Sequence, residues 1–242
     1  WDDQYGWARK RSNNKKGPKP DNFFDLVRKG DLVSLSNSES NQRIIQIPPA
    51  EAAFVSMNPK NGHIKTYIGG TNFLKTKFDR VRQSFPQTGS SFKPFIYASA
   101  ISRGYDASSL INDAPIIFED ENLEDYWRPE NYTKKFYGLT RLREALVQSI
   151  NIVSIKLLRN IGVENVRNDL QAFGFEKRRL PSDLSLALGS SSFSPIEMTR
   201  AFSILVNEGK VQDPVYITKV EDRNGNIIYE HQSFNDDEAV DN

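Results

Sequence analysis

Two hydrophobic rhythms alternate along this chain. Ala52 to Met57 and Ile64 to Ile68 are short apolar-rich runs around Asn58-Pro59-Lys60-Asn61-Gly62. Two such runs flanking an Asn-Gly turn predict a β-hairpin. After Gly69-Gly70 and a polar connection, Phe92, Phe95, Ile96 and Ala100 recur at helical spacing, and Gly104 is the stop. Asp106 to Tyr137 shows neither rhythm and reads as irregular, rich in aromatics and acids. A helical block follows over Leu142 to Gln148, Ile152 to Ile161, Val163 to Phe173 and Pro195 to Asn207. Val215 to Val220 and Ile227 to Tyr229 flank Asn224-Gly225 and predict a second hairpin. Nearer the start, Leu32 to Leu35 and Ile44 to Ile47 read as two strands of a small sheet, and Pro48-Pro49 as a boundary. The order of strands, helices and strands predicts an α+β class without βαβ alternation. Domains are expected at 1–49 and 50–242.

Composition narrows the chemistry. The chain has 242 residues, 38% hydrophobic, with 15 Phe and 9 Tyr, enough to fill a core. Its formal net charge is +1 and its charges are interspersed, apart from a basic stretch at Arg9 to Lys19. That stretch reads as a solvated loop, and no nucleic-acid partner is expected. No apolar run approaches the roughly 18 residues that would span a bilayer. There is no Cys, and His63 and His231 are the only histidines. Thiolate chemistry is excluded, no metal or other cofactor is expected, and a Ser-His-Asp triad is hard to assemble. Both histidines are expected at the surface. A serine nucleophile in such a chain turns to lysine.

Arg82 to Tyr97 reads RQSFPQTGSSFKPFIY and holds Ser90 and Lys93 at the mouth of the predicted helix. Residues three apart face the same way on a helix, so a hydroxyl and a candidate base share one side. Pro94 lies close enough to the first turn to be tolerated. The helix's positive end favours a developing oxyanion at Ser90, and burial would lower the pKa of Lys93. The same spacing recurs at Ser12 and Lys15, but there it sits in an apolar-free, proline-closed run. A second pair, Ser149 and Asn151, lies in LREALVQSINIVSIKLL. In an unbroken helix these two point to nearly opposite sides and are surface residues. If the chain leaves the helix there, with Ser149 or Asn151 capping the next one, they share a side and can serve one site.

Ser-x-x-Lys and Ser-x-Asn are two of the three short motifs found in penicillin-binding proteins and class A β-lactamases. Four segments carry the likeness further. RQ…TGSSFKPFIYASA resembles the nucleophile segment of class A, bifunctional penicillin-binding proteins. WRPENY, Trp127 to Tyr132, resembles that class's Trp-x-Pro-x-Asn-Tyr segment. GLTRLREALVQSINIVSIKLL and LALGSSSFSPIEMTRAFSILVNEGK resemble its Ser-x-Asn segment and a later helix. Trp7 to Pro49 resembles the end of the OB-like insertion of some Gram-negative members.

The resemblance implies a penicillin-binding transpeptidase or serine β-lactamase-like α+β fold, an antiparallel sheet packed by helices with a mostly helical subdomain. It also implies roles. Ser90 is the acylated nucleophile and its backbone N–H an oxyanion donor. Lys93 is the base, Ser149 shuttles a proton to the leaving amine, and Asn151 holds the substrate amide. Trp127 and Tyr132 are structural or cleft-wall residues. The expected partners are peptidoglycan stem peptides ending in D-alanyl-D-alanine and the β-lactams that mimic them, at the periplasmic face of the bacterial inner membrane. The third motif, Lys-Thr-Gly, does not occur in the 242 residues. It is expected downstream of Asn242, and a glycosyltransferase domain and membrane anchor are expected upstream, so the fold is expected to be incomplete here. Two rival readings are a serine β-lactamase or β-lactam sensor, and a non-catalytic piece that serves as an interaction surface.

Overall fold

The computed structural model describes residues 8–9, 11–12, 15–35, 44–45, 50–117 and 127–231. The chain divides into two compact units, Trp1–Glu51 and Ala52–Asn242. The first contains two antiparallel two-residue ladders. Arg11–Ser12 (β1) pairs with Lys15–Lys16 (β2), and Ser34–Leu35 (β3) with Ile44–Ile45 (β4). Ser12 and Lys15 thus pair across a ladder and not along a helix. The predicted strands are trimmed to β3 and β4 among the described residues, and Gln46 and Ile47 lie outside them.

The second unit opens with the predicted hairpin, Phe54–Met57 (β5) against Ile64–Ile68 (β6). Gly62, at φ +73, makes its turn. At the other end of the unit, Lys219–Glu221 (β9) pairs with Ile227–Glu230 (β10) around Asn224-Gly225. Val215, expected to begin β9, instead bridges His63 in parallel, so part of the predicted strand links the two hairpins. Sequence reading missed one ladder. Leu110–Asp113 (β7), inside the stretch read as irregular, pairs with Gly138–Arg141 (β8). Only Ile111 and Asp113 of β7 are buried, and one buried residue is an acid, so no apolar alternation marks the strand.

Two helices form the centre. Lys93–Ser102 (α1) buries Phe95, Ile96, Tyr97 and Ala100, and Gly104 (φ +92) ends it where predicted. Asn151–Ile161 (α3) buries Ile152, Val153, Ile155, Leu157 and Leu158. They meet through apolar side chains and a bond between Tyr97 Oη and Ser154 Oγ, 3.1 Å apart. Leu142–Val147 (α2) precedes α3. Val163–Asp169 (α4) tightens into a 3₁₀ turn over Leu170–Phe173 and stops at Gly174, φ +84. Pro195–Val206 (α5) starts at a reciprocal cap between Ser194 and Glu197. Under the start of α1 lies an aromatic cluster. Phe92 contacts Phe175 at 5.0 Å, Phe175 contacts Phe193 at 4.6 Å, and Phe95 contacts Phe202 at 4.9 Å. Edge and tilted pairs like these add roughly 0.5–1.5 kcal/mol each beyond their burial.

The segment Leu184 to Ser191 locks the approach to α1 through its backbone carbonyls. Thr88 N–H donates to the Ser191 carbonyl and Gly89 N–H to the Gly189 carbonyl, both at 2.9 Å. Gly189 sits at φ +69, and a Cβ there would overlap the Gly89 carbonyl. Gly189→Ala therefore combines left-handed strain with a clash against fixed backbone. It is expected to cost at least about 2 kcal/mol, read as a fall in thermal midpoint.

Candidate active site

Ser90 is exposed on a 3₁₀ turn, Gly89–Phe92, that runs directly into α1, and the Lys93 backbone N–H bonds the Ser90 carbonyl. Lys93 follows one turn on, and its side chain is buried, with 1% of the residue exposed. Its Nζ donates to the Ser149 carbonyl at 2.7 Å and to Asn151 Oδ1 at 2.8 Å, and lies 3.1 Å from Ser149 Oγ. These oxygens are neutral and bring no counter-charge. Burial therefore dominates and pushes the Lys93 amine down from 10.5 to about 8. Its hydrogen-bond partners are thus three oxygens: the Ser149 carbonyl, the Ser149 hydroxyl and the Asn151 side-chain carbonyl.

This meeting depends on a break between α2 and α3. Gln148 N–H still bonds back to Glu144, then Ser149 turns to φ +52 and Ile150 is extended. A non-glycine residue in that region is strained by roughly 1 kcal/mol or more. The turn brings both oxygens of Ser149, and the Asn151 amide, to Lys93. Of the two sequence alternatives, the structure has the broken helix.

The predicted cap is different. Neither Ser149 nor Asn151 caps α3, whose flanking residue is Ile150. The cap comes from Asn131, twenty residues earlier, whose Oδ1 accepts the N–H groups of Asn151 at 3.0 Å and Ile152 at 3.1 Å. Asn131 Nδ2 donates to both oxygens of Asp113, at 2.9 and 3.0 Å, and to the Lys135 carbonyl at 2.9 Å. Asp113 is itself buried and accepts the Tyr137 N–H at 2.9 Å. Asn151 Nδ2 donates to the Glu130 carbonyl at 3.0 Å. Glu130 and Asp113 were not singled out from sequence, and Asn131 entered only as the Asn of the Trp-x-Pro-x-Asn-Tyr segment, with no role given to it. Caps are normally read from the residue next to the helix, and nothing in spacing announces one supplied from a distance.

Ser90, Ser149 and Asn151 line one cavity of about 310 Å³ together with Asn131, Tyr132, Thr133, Tyr137, Gln148 and Ile150. Tyr132 is 98% exposed at its wall, whereas Trp127 packs against the core. His63 and His231 are half-buried with their rings 5.9 Å apart, and neither lines this cavity. They come together because the bridge from His63 to Val215 joins the two hairpins. Among the described residues, no group of three or more His, Cys, Asp or Glu is placed to hold a metal ion. The arrangement offers an exposed hydroxyl at a helix N-terminus, a buried amine, a second hydroxyl on that amine, and an amide.

Residues 52–241 match the penicillin binding protein transpeptidase domain family. Penicillin-binding protein 1A of Pseudomonas aeruginosa is 42% identical over 230 residues, which is 94% of this chain and 28% of that protein. The protein of the same name from Escherichia coli is 36% identical over 225 residues, 93% of this chain and 26% of that protein. Among solved structures, penicillin-binding protein 1A from Haemophilus influenzae aligns with a TM-score of 0.78 at 36% identity, covering 83% of this chain and 30% of that one. The chain therefore spans under a third of the length of these relatives. The match runs through the hairpin, both central helices and the residues that line the cavity. By that match and those identities, the chain belongs to the penicillin-binding protein transpeptidase family.

Proposed function

We propose that this chain carries the acyl-transfer centre of a peptidoglycan D,D-transpeptidase, in which Ser90 is the nucleophile and Lys93 its base. The observation that carries the reading is the buried Lys93 amine, held by Ser149 and Asn151 one helical turn from an exposed serine. A serine hydroxyl is a weak nucleophile until a neighbouring base takes its proton, and an amine titrating near 8 can do so at neutral pH.

Ser90 Oγ attacks the carbonyl carbon of the D-alanyl-D-alanine amide as its proton moves to Lys93. The Ser90 backbone N–H at the start of α1 supports the oxyanion. Ser149, on the Lys93 amine, passes a proton to the departing nitrogen as the C–N bond breaks, releasing D-alanine. The remaining ester is resolved by the amine of a neighbouring stem peptide, or by water. The Asn151 amide orients the substrate. A β-lactam enters by the same attack, but its leaving nitrogen stays tethered to the acyl group. On this reading residues 1–49 end an OB-like insertion, and the domain works at the periplasmic face of the inner membrane, held by an anchor elsewhere in the protein. Among the described residues, no helix is long and apolar enough to cross a membrane.

Penicillin is expected to label the full-length protein at Ser90. Ser90→Ala abolishes the label and Ser12→Ala leaves it, as read by peptide mass spectrometry. An adduct on another residue would overturn the assignment.

The pH dependence follows from Lys93, which is cationic below its pKa and a base only above it. Acylation is expected to rise about tenfold per pH unit up to about 8 and then level. Arginine keeps the charge and cannot deprotonate. Lys93→Arg should lower acylation by about a hundred- to ten-thousand-fold and flatten the profile. Stopped-flow acylation across pH checks both.

A further inference from the structure

Asp113 ends the strand β7 with its carboxylate buried, an arrangement that needs compensation. Its two oxygens meet the Asn131 side-chain NH₂, and one also meets the Tyr137 N–H. Both Asp113 oxygens accept here, whereas an asparagine amide has one accepting and one donating end. Asp113 therefore fixes which way the Asn131 amide points: NH₂ toward the carboxylate, Oδ1 toward α3. Reversed, the amide would set its donors against the N–H groups of Asn151 and Ile152, which Oδ1 now accepts.

The residue whose N–H is held in this way is Asn151, the same residue whose Oδ1 holds Lys93. Glu130, next to Asn131, holds the other end of the Asn151 side chain through its carbonyl. The ordered links run from Asp113 to Asn131, to the first residue of α3, and on to the Lys93 amine. Asn131 also lines the cavity, directly beside Asn151. Ser149, with its strained backbone, lies two residues before the capped N–H groups, so a loosened cap leaves that strain free to relax.

We infer that Asp113 and Asn131 are a positioning pair: the carboxylate orients the asparagine amide, which seats the start of α3 so that Ser149 and Asn151 present their oxygens to Lys93. The inference rests on the acyl-transfer reading above. The pair acts through Asn151 and Lys93 and transfers no proton itself. It also gives WRPENY a physical task at Asn131, in a segment where Trp127 packs on the core and Tyr132 stands exposed.

The test is penicillin acylation of the full-length protein, resolved into the binding constant and the first-order acylation rate at several pH values. Thermal unfolding is measured alongside. Asp113→Asn keeps the shape but lets the Asn131 amide reverse, and Asn131→Ala removes the seat. Each is expected to slow the acylation step about ten- to a hundred-fold, as misplacement of reacting groups by about 1 Å does, with binding changed less than threefold. Each should also move the midpoint of the pH profile upward, since a loosened cleft readmits water to Lys93. Leu170→Ala, in the core away from the cleft, should lower the thermal midpoint yet leave the acylation step and its pH midpoint unchanged. If the two variants lose stability but keep both kinetic readouts, the pair is structural only and the inference is overturned. It is equally overturned if the near-isosteric Asp113→Asn does not fold. Failure of the underlying reading looks different: the wild-type protein would then carry no adduct at Ser90.

Discussion

A primary amine held out of water is the condition on which this architecture depends. Moving the Lys93 amine from 10.5 to about 8 corresponds to a penalty on its charged form on the order of 3 kcal/mol. That penalty is carried in full below about pH 8, where folded and unfolded chains both hold the proton. It fades as pH rises toward 10.5, where both have lost it. The fold tolerates it because α1 is anchored on either side of Lys93. Phe92 and Phe95 bury their rings in the aromatic cluster, and Ile96 and Tyr97 pack in the core beside α3. Lys93 cannot withdraw from the core without dragging a helix whose neighbours are its best-packed residues. Three oxygens then take the amine's hydrogen bonds without restoring its charge.

Those oxygens come from a chain that abandons helical geometry for two residues. The break is held in place from both directions. Ile150 and Ile152 are buried beside it, and Ile150 N–H bonds back to the Ala145 carbonyl at 2.8 Å. The strained Ser149 turn is thus fixed by apolar burial on one side and by the Asn131 cap on the other. Strain of this kind persists only where the surroundings over-determine it, and here two independent sets of contacts do so.

What was legible in the sequence follows the range of each interaction. The hairpin at Asn58 to Gly62, the stop at Gly104 and the helices α1, α3 and α5 are set by neighbours within a few residues, and the apolar spacing displayed them. The placement of Ser90 and Lys93 one turn apart was legible for the same reason, since the turn over Gly89–Phe92 runs directly into α1. The ladder of β7 and β8 was not. Its partners lie 25 to 31 residues apart, and the residue it buries beside Ile111 is the charged Asp113. Nor was the cap on α3, since Asn131 does at a distance what Ser149 or Asn151 would have done locally. Val215 left its expected strand because His63, from the far hairpin, competed for it.

The segment Leu184 to Ser191 bears on the candidate site without lending it a side chain. None of its side chains lines the cavity of Ser90. Its contribution is backbone carbonyls that receive Thr88 and Gly89, just ahead of the serine, and a glycine without which the two strands of backbone could not approach. The Thr88 hydroxyl adds bonds to the same two carbonyls, at 3.2 Å each. Behind it, Arg179 stacks 4.5 Å over Phe193 and donates to the Ser192 carbonyl, tying this stretch to the aromatic cluster beneath α1. The loop before Ser90 is therefore gripped by backbone from one side, as the helix after it is gripped by aromatic packing from below. Ser90, itself exposed, is preceded by Gly89, over which Gly189 closes, and followed two residues on by the fully buried Phe92.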